Sequence, residues 1–129
     1  MIIAIDFDGT IVKDEFPEIG EMIPGAKEII NKLNYEGYTI IIWTCRAGVE
    51  LSKAVLWLAE NGIKYNYINQ NCPISNAKYG GGDTRKVYAN LYIDDRGLMR
   101  PLPTWEELYW YVHDIVPGYA DKVARDGFL

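Results

Sequence analysis

The sequence predicts an α/β fold with a mainly parallel sheet, and three observations carry that expectation. Short apolar runs recur at Ile2 to Ile5, Tyr38 to Trp43, Tyr65 to Ile68 and Asn90 to Ile93, and they are continuous rather than alternating. Strands buried on both faces of a parallel sheet have this character. Segments of helical periodicity lie between most of these runs, which is the order of right-handed βαβ units. Finally, the first and last runs stop at acids, Asp6 and Asp8 in one case and Asp94-Asp95 in the other. Unpaired carboxylates are too costly to leave in an apolar core. They belong at the carboxyl ends of strands, where open α/β sheets hold their ligands.

The elements follow in order. Ile2 to Ile5 forms the first strand and runs straight into Asp6-Phe7-Asp8-Gly9-Thr10. Ile11 to Ile23 is expected to make a small turn and flap, with Lys13, Asp14 and Glu15 as an exposed charged stretch that needs no function. Pro24-Gly25 opens a helix in which Ala26, Ile29, Ile30 and Leu33 share a face, and Gly37 stands where a C-cap glycine stops it. After the second strand, Leu51, Ala54, Val55 and Leu58 make another stripe, closed by Gly62. Past the third strand, Asn69 to Asp83 is polar and holds Gly80-Gly81-Gly82, which predicts an ordered loop with a mobile tip. Pro101 and Pro103 break the chain, and Thr104 with Glu107 forms a capping-box pattern for a helix beginning at Trp105. Trp105, Leu108, Tyr109 and Val112 are its core face, and a last short helix follows Pro117.

Composition bounds the function. At 129 residues and 49% apolar, the chain is expected to form one domain over residues 1–129. The net charge of −5, from 13 basic and 18 acidic side chains, argues against a general nucleic-acid binder. Cys45 and Cys72 have no Cys/His company that would suggest zinc or a disulfide framework, so reduced thiols in a cytoplasmic protein are expected. No run approaches the ~18 apolar residues of a membrane span.

In a parallel sheet the strand ends share one edge. Asp6 and Asp8, Thr44 with Arg46 close behind, and Asp94-Asp95 therefore converge on one crevice. Crowded like charges need protons or a cation, and an oxygen-only ligand set selects a hard one, Mg²⁺ first. Such a cluster suits phosphoryl transfer, with one Asp as nucleophile and a second placed to handle the proton.

Asp6-Phe7-Asp8-Gly9-Thr10 resembles the first motif of the haloacid dehalogenase (HAD) superfamily. Ile40-Ile41-Ile42-Trp43-Thr44, a lysine, and Leu91-Tyr92-Ile93-Asp94-Asp95 follow in the family's order. The resemblance runs from Ile2 to about Arg96 and implies a three-layer, Rossmann-like sheet, Mg²⁺ dependence and phosphate-monoester hydrolysis through an aspartyl-phosphate. It implies that Asp6 is the nucleophile and a metal ligand. Asp8 would be the general acid/base and a metal ligand through its carbonyl, and Thr44 the phosphate-binding hydroxyl. Asp94 would ligate metal, with Asp95 acting directly or through water. Lys78 and Lys86 both precede the fourth strand as candidates for the phosphate-stabilising lysine, and the short spacing of Lys86 to Asp94 favours it. With only Ile11 to Ile23 and Asn69 to Lys86 at the family's cap insertion points, this looks like a capless member.

Arg46 and Arg96 are placed to bind substrate anions or to pair with the acids. His113 has no partner in the motif set, and Trp110 and Tyr111 leave room for a homo-oligomer contact. An open site suits a phosphorylated small molecule covered by a neighbouring subunit, or a bulky substrate. Transfer of the phosphoryl group to an acceptor other than water, and a catalytically weak phosphate-binding module, are the alternative readings.

Overall fold

The computed structural model describes residues 1–80 and 84–115. Its elements are β1 (Ile2–Ile5), β2 (Val12–Glu15), β3 (Glu18–Met22), α1 (Ala26–Tyr35), β4 (Thr39–Ile42), α2 (Gly48–Glu60), β5 (Tyr67–Ile68), α3 (Pro73–Tyr79), β6 (Leu91–Ile93) and α4 (Trp105–Ile115). Four strands make a parallel sheet in the order β5-β4-β1-β6, while β2 and β3 pair antiparallel in a separate hairpin. The fold is mixed α/β, in the three-layer, Rossmann-like arrangement the sequence predicts.

Both faces of β1 are buried, and its alternation sorts the core into layers. Ile3 and Ile5, with Ile40 and Ile42 of β4, pack against Ala26, Ile30 and Leu33 of α1, Ala54 and Leu58 of α2, and Trp105, Leu108 and Val112 of α4. Ile2, Ala4 and Ile41 face the other way, onto a smaller cluster with Cys72, Val87 and Ala89. The chain moves outward from β1 through β4 to β5 and then crosses to β6 on β1's other side. The strand order thus reverses at β1, and the crevice of an α/β sheet lies at such a reversal.

Local signals explain the element ends. Gly37, at φ 99°, ends α1 in the left-handed conformation that glycine adopts without strain. The capping box at α4 forms: the Glu107 N–H donates to Thr104 Oγ1 at 3.2 Å and the Thr104 N–H to Glu107 Oε1 at 3.3 Å. The expected flap is the β2–β3 hairpin, whose Lys13, Asp14 and Glu15 are exposed.

The structure departs from expectation in three places. The stretch expected to be a loop contains α3, with Pro73 at its first position, and its N-cap Cys72 and its own Ser75 are buried. Proline's fixed φ suits a helix start, and one short helix carries too few apolar residues to show a periodicity. Of the Gly80-Gly81-Gly82 run in that stretch, expected as a mobile tip, Gly80 is the left-handed C-cap of α3, while residues 81–83 and the expected helix after Pro117 lie outside the described residues. The third strand shrinks to Tyr67–Ile68, because the Asn66 side chain, not a backbone carbonyl, accepts the Ile40 N–H at 2.8 Å. On α2, Ala54 and Leu58 are buried as expected, but Val55 is partly exposed. Among the described residues, no helix is long and apolar enough to cross a membrane.

Candidate active site

Register brings the acids together. Ile5 pairs with Ile42 on one side and Ile93 on the other, so the next residue on each strand reaches the same edge. The Asp6 N–H still donates to the Ile93 carbonyl at 3.0 Å, which sets Asp6 beside Asp94. Phe7 is fully buried and meets Trp57 edge-on, so the flanking Asp6 and Asp8 turn outward. Carboxylate oxygens of Asp6, Asp94 and Asp95 all lie within 4.8 Å of one another.

The loop after Asp6 is wound around one carbonyl. Phe7 O accepts the N–H groups of Thr10, Ile11 and Val12 at 3.3, 2.9 and 3.2 Å. Gly9 is required twice over: its φ is 88°, and a Cβ there would collide with the Asp95 carboxylate. Thr10, fully buried, stitches the cluster, its hydroxyl lying 3.3 Å from Asp6 Oδ2 and 3.4 Å from Asp95 Oδ1 and accepting the Asp95 N–H at 3.2 Å. The Trp105 indole N–H donates to the Thr10 carbonyl at 3.0 Å and ties the loop to α4.

The crowding has an electrostatic consequence. Burial, the neighbouring Asp94 charge and a hydrogen bond with Asp95 push the Asp6 carboxyl up to about 8, from an ordinary 3.8. The donor set of Asp6, Asp94 and Asp95 is entirely oxygen, a chemistry that fits a hard divalent cation of the Mg²⁺ or Ca²⁺ kind. The Asp8 carboxylate stands outside this group.

Asp8 is gripped instead by Arg46. Nε donates to Asp8 Oδ2 at 2.7 Å and Nη2 to Oδ1 at 2.8 Å, with the Arg46 side chain 1% exposed. An Arg–carboxylate fork of this kind is strong and directional. Of the two roles expected for Arg46, the structure places it on the acid rather than open to an anion, because the same guanidinium also donates to the Pro17 and Glu18 carbonyls at 3.1 and 2.9 Å. Arg96 reaches Asp14 of the hairpin at 3.5 Å.

Thr44 faces the acids from the end of β4. Its Oγ1 accepts the Arg46 N–H at 3.1 Å, which leaves the hydroxyl proton for a ligand. Asn69, at φ 51°, holds the Thr44 backbone by accepting its N–H at 2.9 Å and donating to its carbonyl at 3.0 Å. Sequence reasoning missed Asn69. Its only signal was an Asn directly after a strand, a residue that tolerates the left-handed region.

Asp6, Asp8, Thr44, Arg46 and Asp94 therefore line one crevice of about 310 Å³, together with Cys45, Arg96, and Asp14 and Phe16 of the hairpin. Lys86 is the exception. Its ammonium sits 5.0 Å from the centre of the Tyr92 ring, in a cation–π contact, and it does not line the crevice. Lys78 lies in the last turn of α3. His113 is far from this chemistry, with Nδ1 2.8 Å from the Tyr109 carbonyl and Nε2 3.6 Å from Glu36.

No family model matches the chain, and no curated protein matches it. A solved structure does: a conserved protein coded by a locus of Bacteroides thetaiotaomicron is 36% identical, with 90% of this chain and 92% of that chain covered and a TM-score of 0.79. The chain belongs to the same family as that conserved Bacteroides thetaiotaomicron protein.

Proposed function

We propose that the chain is a Mg²⁺-dependent phosphatase of the haloacid dehalogenase type, acting on the phosphate monoester of a small molecule in the cytoplasm. The observation that carries this reading is the division of labour among the acids: Asp6, Asp94 and Asp95 form one oxygen cluster, while Asp8 is held apart by Arg46. A symmetric cage of acids would suit a structural cation. One acid set aside, on the same crevice, suits a proton carrier.

In this mechanism Asp6, Asp94 and Asp95 would hold the cation, which when bound offsets negative charge on the phosphate oxygens and on the acids themselves. An Asp6 carboxylate oxygen attacks phosphorus, the ester P–O bond breaks, and the leaving oxygen keeps the electron pair and takes a proton from Asp8. The Asp8 carboxylate then takes a proton from water as that water attacks the aspartyl-phosphate, which frees phosphate and restores the Asp6 carboxylate. The Thr44 hydroxyl donates to a phosphate oxygen. Lys86 supplies the remaining positive charge by leaving its seat on Tyr92.

The test is phosphate release from an aryl phosphate and from a panel of phosphorylated metabolites, with Mg²⁺ and with EDTA. Magnesium-dependent turnover that Asp6→Asn abolishes is expected. Turnover undiminished in Asp6→Asn, or no turnover on any monoester, overturns the reading.

A further inference from the structure

We propose that Arg46 is a positioning residue that fixes, with one guanidinium, both the Asp8 carboxylate and the β2–β3 hairpin bordering the crevice. The chemistry of this inference rests on the phosphatase reading; its mechanics rest on hydrogen bonds alone.

Each nitrogen of the guanidinium is committed. Nε and Nη2 take the two oxygens of Asp8, and Nη2 and Nη1 hold the carbonyls of Glu18 and Pro17 across the hairpin turn. The group lies between Phe7, 5.4 Å from its ring centre, and the hairpin's Phe16, at 5.1 Å. The side chain is almost fully buried, and its fork cannot be reproduced by a lysine, which presents a point charge. The hairpin has a further side-chain tether, Asp14 to Arg96, but that pair is exposed and 3.5 Å apart, so it contributes little. Val12 of the hairpin is also held by backbone hydrogen bonds with Phe7 and Gly9 and by burial in the core. Among the side-chain polar tethers Arg46 is the strong one, reaching the turn end of the hairpin.

The grip leaves Asp8 able to act. A carboxylate offers about four lone-pair sites, and the fork uses one on each oxygen, so a remaining lone pair can carry the proton that Asp8 passes to the leaving oxygen and later takes from water. Because the same guanidinium holds the hairpin, the position of the proton carrier and the position of the crevice wall are coupled. A misplacement of about 1 Å at such a group lowers turnover by ~10²-fold.

The coupling has a signature that a purely structural residue lacks. An aryl phosphate has a leaving oxygen that departs readily without a proton, whereas an alkyl phosphate needs one. Arg46→Ala and Arg46→Lys are assayed on both esters with Mg²⁺, after a cooperative thermal transition has shown that each folds; if Arg46→Ala does not fold, Arg46→Lys carries the test. Amide hydrogen exchange across residues 12–22 is followed in parallel. Alkyl-ester turnover is expected to fall by ~10²-fold and aryl-ester turnover by less than ~10-fold. Hairpin exchange should accelerate by at least ~10-fold, and added guanidinium ion should restore part of the alkyl-ester turnover of Arg46→Ala. Equal losses on the two esters, or hairpin exchange at the wild-type rate, overturn the proposal. A wild-type protein that turns over neither ester refutes the phosphatase reading instead, and the exchange rate then decides the tether by itself.

Discussion

Replacing Asp6 by Asn should stabilise the metal-free protein while destroying its chemistry, and the size of the gain follows from the acid cluster. Unfolded, Asp6 loses its proton near 3.8; folded, burial and the Asp94 and Asp95 carboxylates hold it until about 8. Between those values the native state binds the extra proton, so stability falls as pH rises from about 4 to about 8. A tenfold difference in proton affinity between the folded and unfolded chain corresponds to ~1.4 kcal/mol. Because part of the group meets solvent, where charge interactions are screened, the loss expected at pH 8 is about 2 kcal/mol. Asn carries no charge, can keep the contact with the Thr10 hydroxyl, and can donate to its acidic neighbours. The assay is thermal unfolding from pH 4 to pH 8 in EDTA and in Mg²⁺. In EDTA at pH 8 the variant should melt about 6 °C above the wild type, and the gap should close toward pH 4. Mg²⁺ should stabilise the wild type, more at pH 8 than at pH 5, and the variant far less. Parallel pH profiles, or a variant less stable than wild type at pH 8, would refute the claim that Asp6 is the strained member of the cluster.

Other substitutions probe its supports. Gly9→Ala meets a left-handed backbone and the Asp95 carboxylate together, so a loss of about 2–3 kcal/mol in urea unfolding is expected, together with weaker Mg²⁺ binding. Trp105→Phe removes the indole N–H from the Thr10 carbonyl and should destabilise by about 1–3 kcal/mol while lowering kcat, because the loop carrying Asp6 loses its tie to α4. Lys86→Met should cut kcat/KM for a phosphate ester by ~10²-fold, with Lys78→Met within about twofold of wild type; the opposite ranking would assign the charge to α3.

Much of this arrangement was legible because it is local or periodic. The buried strands β1 and β4 are continuous apolar runs, α1 has its stripe and its terminal glycine, and α4 has its capping box. The convergence of Asp6, Thr44 and Asp94 needed only parallel order, since a parallel sheet puts all its strand ends on one edge. The illegible parts depend on distant partners. Arg46 finds Asp8 only once β1 and β4 lie side by side, and the Glu18 carbonyl only once the hairpin folds back. Asn66 and Asn69 replace backbone partners with side-chain amides, a substitution that no hydrophobic pattern records. Helix α3 hides in a polar, glycine-bearing stretch, and the Tyr92 ring holds Lys86 away from the crevice that its spacing to Asp94 suggested.

The most direct measurement is on the proposed nucleophile itself. The protein is quenched with acid during turnover of a phosphate monoester, digested, and the peptide containing Asp6 is weighed by mass spectrometry. A phosphoryl group on Asp6 is expected, removable by hydroxylamine, dependent on Mg²⁺ and missing from Asp6→Asn. Steady turnover with no phosphoryl group on Asp6, or with the group on another residue, would contradict the assignment.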